Sequence, residues 1–470
     1  MLATLALAAA SLSPCTFSDS AGVRMVEARC TTVSVPLDPA QPAGKVLGLA
    51  VAVIPAPTPR EPGEALTVLA GGPGGSAREF YASFQRAFAQ AGKHTDIVLV
   101  DQRGTGGSAR MDCPVFEGPD KILSPEAARA ATRQCLAVLP HDPRLFTTSV
   151  AVRDLEAVRE LLGYERLHVY GASYGTRVAQ HYARRYPERT ASLILDGVIP
   201  PEVPLGPNVP LNAQAALETI FSRCRAQADC EARFGDLEAR FAGLRRDLAA
   251  SPAEFSMPHP RTGEPESVRL TEVDVAVGVR LLSYTDDSAA LLPLLIHEAA
   301  GGRPQGLAAQ SLLAMEGLSE SLALGMHNAV VCTEDLPFVH IDEAERARLE
   351  ATYLGFRQVE ALQAMCHDWP RGRMDEDLRV PLNDTVPTLI LSGQYDPVTP
   401  PAYGDIVAGA LPDSRHLVAP GMGHGVAAAG CAPRLLSTFV RQPDPGGLDA
   451  ACLDRLAPQP FFLDYSGPAP

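Results

Sequence analysis

The stretch "RLHVYGASYGTRVAQHYARRYP", Arg166 to Pro187, decides how this chain is read. Its first part is an almost unbroken apolar run, as a parallel strand buried on both faces requires. Its last part has helical spacing, and "GASYG" (Gly171 to Gly175) is the bend between them. A G-x-S-x-G at a strand-to-helix bend lifts the serine hydroxyl out of the sheet. The glycines remove side chains that would clash in so tight a turn. The helix behind the bend offers backbone N–H groups to a developing oxyanion. An ordinary Gly-rich loop is the competing reading, and the strand-helix context favours Ser173 as a nucleophile.

Working outward, similar apolar runs begin at Thr31 ("TTVSVPL"), Val46, Ala65 ("ALTVLAGG"), Asp96 ("DIVLVDQRG") and Ser192 ("SLILDGVIP"). Helical patterns separate the later ones. From Ser149, for example, Val152, Leu155, Val158 and Leu162 recur on one face. Alternating strand and helix predicts a mostly parallel α/β sheet with right-handed crossovers. The first two runs have no helix between them, so the sheet should start antiparallel. From about residue 201 to 382 strand runs give way to helix-like segments, and "VPTLILSGQYDP" from Val386 restores the strand-loop texture. The expected organisation is a sheet core in two parts, 15–200 and 383–470, with a mainly helical cap at 201–382 inserted before the strand preceding Asp396.

A serine at its ordinary pKa is a poor nucleophile and needs a base held by an acid. "SGQYDPVTPP" places Asp396 in a turn just past an apolar strand, and "PGMGHG" places His424 in a Gly-rich loop after another. Both loops belong where strand C-terminal ends gather. Alone, Asp396 reads as a turn residue and His424 as a loop histidine; in this order after Ser173 they read as a triad. "LAGGPGGSA" (Leu69 to Ala77) follows a strand and opens a helix. Gly72 there, with the N–H of Tyr174, is the candidate oxyanion hole. A phosphate loop is the rival, but no G-K-[ST] follows. Asp101 and Arg103 of "DQRGTGGS" read as structural partners, and His168 as core.

Apolar residues make up 46% of the 470 and charged residues 20%, the balance of an ordinary globular protein. The net charge of -15, with no basic block, argues against a nucleic-acid partner. The ten cysteines fall as neighbours: Cys15 with Cys30, Cys113 with Cys135, Cys224 with Cys230, Cys332 with Cys366, and Cys431 with Cys452. None makes a C-x-x-C, and "HEAAG" at His297 stops short of H-E-x-x-H, so a metal site finds little support. Five local disulfides in an oxidising compartment are expected, making the protein secreted or periplasmic. The apolar start, residues 1–14, reads as a signal-peptide remnant, and no window is long and apolar enough to span a membrane.

"AGGPGG", "DQRGTGGS", "GASYG", "GQYDPVTP" and "GMGHG", in that order, resemble the α/β-hydrolase-fold serine aminopeptidases. The likeness is to the tripeptidyl-aminopeptidase-like branch, related to the prolyl iminopeptidases. Where the latter usually carry a histidine before the double glycine, Ala70 stands here, which argues against strict proline specificity. The resemblance implies an eight-stranded, mostly parallel sheet with a helical cap, no cofactor, and short peptide substrates with a free N-terminus. It also implies that cap carboxylates bind the substrate's α-amino group. "AVVCTED" (Ala329 to Asp335) then gains a role: Glu334, with Asp335, as that anchor, pinned by a Cys332–Cys366 disulfide. A solvated acidic helix end is the other reading. For the whole chain, a carboxylesterase or lactonase using the same triad is the alternative.

Overall fold

The computed structural model of the chain describes residues 11–61, 63–113 and 124–468. The apolar runs become β1 (Ser13–Ser18), β2 (Met25–Pro36), β3 (Val46–Ile54), β4 (Glu64–Leu69), β5 (Asp96–Val100), β6 (Arg166–Ala172) and β7 (Thr190–Asp196). A hairpin of β8 (Ala253–Pro258) and β9 (Pro265–Leu270) follows, and then β10 (Thr388–Gly393) and β11 (Ser414–Ala419). All but the hairpin form one sheet in the order β1-β2-β3-β5-β4-β6-β7-β10-β11. The β1–β2, β2–β3 and β3–β5 pairs are antiparallel, and from β5 to β11 every pair is parallel.

Continuous burial along β6, β7 and β10 has a simple cause, since helices cover both faces of the sheet. On one face Val98, Val169, Leu193 and Ile390 pack against helices Thr148–Leu162 and Tyr174–Arg185. On the other, Leu99, Tyr170, Ile194 and Leu391 pack against helices Ala77–Ser83 and Ala432–Arg441. Neighbouring residues of one strand thus serve opposite cores, as the period of two demands.

Three expectations need correction. The sheet has nine strands rather than eight, because "SPCTFS" pairs with β2 and is tied to it by the Cys15–Cys30 disulfide. That segment has no apolar run, so only its partner makes it a strand. β1 also begins inside residues 1–14, the expected leader; of those, 1–10 lie outside the described residues. Second, the inserted block carries the β8–β9 hairpin among its helices. Third, it divides. Residues from Ala213 to Ala308 build a second core, joined by Tyr353, Tyr395 and Phe461, whereas Ala323, Met326, Val330, Cys332, Trp369 and Leu382 return to the core beside the sheet.

The ten cysteines form five disulfides, 15–30, 113–135, 224–230, 332–366 and 431–452. Among the described residues no helix is long and apolar enough to cross a membrane.

Candidate active site

Ser173 sits between β6 and helix Tyr174–Arg185 with φ 53° and ψ -123°, a conformation that L residues rarely adopt. The surrounding backbone dictates this. A Cβ at Gly171 would collide with the Gly175 carbonyl, and one at Gly175 with the Leu69 carbonyl, so β4, β6 and the helix meet at main-chain distance. The Ser173 N–H is bound to the Asp196 carbonyl at 2.9 Å, which anchors the bend to the end of β7.

Asp396 follows β10 and is 2% exposed. Its Oδ1 accepts the N–H groups of Val398 (2.9 Å) and Thr399 (2.8 Å), and its Oδ2 accepts the Thr399 hydroxyl at 2.7 Å. The same Oδ2 receives Nδ1–H of His424 at 2.7 Å, which leaves Nε2 as the nitrogen with a lone pair. Burial works against a charged His424 ring, but the Asp396 carboxylate outweighs it, and the imidazole is held above its ordinary 6.5. The loop is fixed from two sides. Tyr284 of the inserted block accepts the His424 N–H at 2.6 Å and sets its ring edge-on to the imidazole, centroids 5.4 Å apart. Asp196 accepts the N–H groups of Val426 (2.8 Å) and Ala427 (2.9 Å) and the Tyr170 hydroxyl (2.8 Å).

Ser173, His424 and Gly72 line one cavity of about 660 Å³ under the inserted block. Its walls are largely apolar, with Phe80, Phe84, Leu281, Leu318, Leu322 and Val331 among them. Gly72 has φ +115°, and a Cβ there would press to 2.8 Å from the Leu322 side chain. Neither the Gly72 nor the Tyr174 N–H donates to another described group. Asp101 ties this loop to its neighbour through the Ser76 hydroxyl (2.8 Å) and Arg78 (2.7 Å). Arg103 is spent on Asp154 at 2.6 and 2.7 Å, and His168 on Ser192 and Glu64. Of the aromatic residues near the motifs, Phe80 lines the cavity, while Tyr81, Tyr174 and Trp369 are buried outside it.

Glu334 and Asp335 require a correction. Both are 0% exposed and neither lines the cavity, so the structure removes them from contact with a substrate there. "VCTED" forms a single wide π turn, Val331–Asp335, that ends the helix Leu324–Val330. Glu334 accepts the Thr148 N–H (2.7 Å) and hydroxyl (2.8 Å), closing the N-terminus of helix Thr148–Leu162. Asp335 takes Arg177 of the helix behind Ser173 in a two-pronged pair at 2.8 and 3.1 Å. Burial pushes Glu334 up to about 7, with Arg177 and the Thr148 hydrogen bonds opposing. The two acids therefore brace the helix behind the serine, through Arg177 and through Thr148, whose hydroxyl meets that of Tyr174 at 2.7 Å.

Of the charged groups that line the cavity, sequence reasoning found only His424. The others are Glu79, Asp196, Arg280 and His327. Asp196 had a visible signal, an acid ending an apolar strand, and Glu79 another, a first-turn acid directly after the glycine loop. Arg280 and Tyr284 had none, for the helix that carries Arg280, and the bend just past its end that carries Tyr284, are packed there from elsewhere in the chain. Among the described residues no three His, Cys, Asp or Glu side chains converge to hold a metal ion.

A serine on a strand-to-helix bend, followed by an Asp–His pair on the loops after later parallel strands, defines an α/β-hydrolase. Residues 64–253 match the model of the alpha/beta hydrolase fold family, and residues 352–452 that of the TAP-like proteins. The chain has the α/β-hydrolase fold, carries a TAP-like segment and is a hydrolase. It is 27% identical over 427 residues to the serine protease Hip1 of Mycobacterium tuberculosis, covering 82% of this chain and 79% of that one. It is 34% identical over 195 residues to the tripeptidyl aminopeptidase of Streptomyces coelicolor, covering 37% and 35%. Among solved structures it is similar to a serine hydrolase from Cycloclasticus zankles, at 14% identity, a TM-score of 0.40, and 88% and 98% coverage.

Proposed function

We propose that the protein is a secreted serine exopeptidase that cleaves peptide bonds near a free N-terminus through an acyl-enzyme on Ser173. The Ser173 hydroxyl attacks the carbonyl carbon while His424 Nε2 takes its proton, and Asp396 stabilises the imidazolium. The N–H groups of Gly72 and Tyr174 receive the oxyanion. Collapse expels the amine, which leaves with the proton from His424, and a water then releases the acyl group by the same route. The five disulfides support an oxidising compartment.

The observation that carries the exopeptidase reading is Glu79. Glu79 lines the cavity that holds Ser173, and its side chain makes no hydrogen bond or ion pair among the described residues, its surroundings giving it only longer-range neighbours such as Arg110 and Arg78. Burial raises it above the ordinary carboxylate range, with Arg110 opposing. A substrate ammonium relieves that cost, and a partly desolvated carboxylate rewards it where water screens poorly. This site replaces Glu334 and Asp335 as the amine receptor. The TAP-like match and the peptidases among the relatives support the same reading. The apolar walls favour a second one, a carboxylesterase that holds an acyl chain.

Two comparisons test this. Ser173→Ala should abolish turnover and labelling by an organophosphonate; retained activity defeats the mechanism. A free-amine peptide amide should be cleaved faster than its N-acetylated twin, and Glu79→Gln should shrink the difference while sparing a simple ester. Equal cleavage of both twins by the wild type counts against the amine receptor, and failure to cleave either while a simple ester is hydrolysed favours the esterase.

A further inference from the structure

Arg280 lies on the helix Glu272–Leu282 of the inserted block and lines the cavity together with Tyr284, Ser173 and His424. One of its nitrogens donates to the Tyr284 hydroxyl at 2.7 Å, and the guanidinium lies over that ring at 5.4 Å. Its Nε is buried and makes no hydrogen bond. No ion pair joins Arg280 to an acid among the described residues, whereas Arg103 and Arg177, buried elsewhere, each hold an aspartate in both prongs. A guanidinium with an unmet donor on an apolar wall costs desolvation free energy unless an anion returns it. The planar fork suits a carboxylate better than any neutral group.

The side of the scissile bond follows from the neighbours. Arg280 holds Tyr284, and Tyr284 holds His424 by its carbonyl and its ring edge. The imidazole delivers its proton to the departing amine, so substrate atoms on this side belong to the departing fragment. We propose that Arg280 is a specificity residue that receives a carboxylate carried by the departing part of the substrate. This rests on Ser173 hydrolysing peptides in the same cavity. Either the terminal carboxylate of a short peptide or an acidic side chain just after the cut supplies the group.

The test measures kcat/KM for tetra-alanine and its C-terminal amide, and for amidated peptides with Glu or Gln just after the cut. One charge-assisted hydrogen bond corresponds to about 10- to 100-fold. The wild type should prefer the carboxylate by that factor in one pair, and the pair identifies which carboxylate is bound. Arg280→Gln should bring that ratio near one, whatever it does to turnover of the amide. Arg280→Lys should keep part of the preference, and it stands in if the Gln variant fails to fold. A wild-type ratio near one in both pairs overturns the proposal, as does a ratio unchanged in Arg280→Gln.

A second measurement separates this failure from that of the peptidase reading. Hydrolysis of p-nitrophenyl acetate is inhibited with Ala-Ala or its amide, and with Glu-Ala amide or Gln-Ala amide. If no peptide is cleaved but the ester is, the peptidase reading falls. Stronger inhibition by the carboxylate form of either pair, lost in Arg280→Gln, still establishes the site. Equal inhibition within both pairs refutes it.

Discussion

Glu334→Gln tests whether the acidic pair serves the fold or the substrate. The side chain is wholly buried, and its carboxyl is raised from 4.5 to about 7, chiefly by burial. A folded-state value above the unfolded one means that stability is fully present below about 4.5 and lost as the pH rises through about 7. Holding an ionised carboxylate there costs the folded state about 3 kcal/mol once the pH exceeds both values. Glutamine does not titrate, and it still offers an acceptor to the Thr148 N–H. Relative to the wild type, the variant should therefore gain about 2–3 kcal/mol between pH 5 and pH 8. Urea melts at the two pH values, fitted with a common slope, read this directly. Glu334→Ala should instead lose about 3 kcal/mol or more, because Arg177 keeps one acid fewer and the Thr148 N–H is left unmet. The reasoning is refuted if Glu334→Gln and wild type differ equally at both pH values. It is also refuted if Glu334→Gln loses peptide turnover while ester turnover survives, since that is the signature of an amine anchor.

Three more outcomes follow. Asp396→Asn should lower kcat/KM by about 10⁴-fold. Its acid limb should also move down, because burial then acts on His424 without the carboxylate that holds it above 6.5. The wild-type limb, rising as the base becomes neutral, should be centred above 6.5; a centre below that value contradicts the Asp–His pairing. Ser173→Gly and Ser173→Ala both lack the hydroxyl, but only glycine accepts φ 53° and ψ -123° freely. The glycine variant should be the more stable by about 1 kcal/mol after its larger unfolded-state entropy is counted, and a less stable one argues against strain at the bend. Replacing both Cys332 and Cys366 by alanine opens a 34-residue loop. Denaturant melts should show a loss of about 3–4 kcal/mol, and an undiminished midpoint denies the bridge its bracing role.

The sequence by itself determined the sheet core, the serine bend and the order of Ser173, Asp396 and His424. These are local features. Burial on both faces writes itself as an apolar run, and a tight bend demands glycine at the bend. The disulfide partners were legible for the same reason, each being its neighbour's nearest cysteine along the chain. Folding decided what distance along the chain conceals. Glu334 and Asp335 looked like free carboxylates until Thr148, 186 residues from Glu334, and Arg177, 158 from Asp335, closed over them. Likewise, nothing in the local pattern of helix Glu272–Leu282 tells that Arg280 shares a cavity with His424. A helix's periodicity shows that it has a buried face, but what that face is buried against depends on the packing of the whole inserted block. The order of Ser173, Asp396 and His424 was thus written in the motifs, and the side chains that the inserted block brings to the cavity were set by tertiary docking.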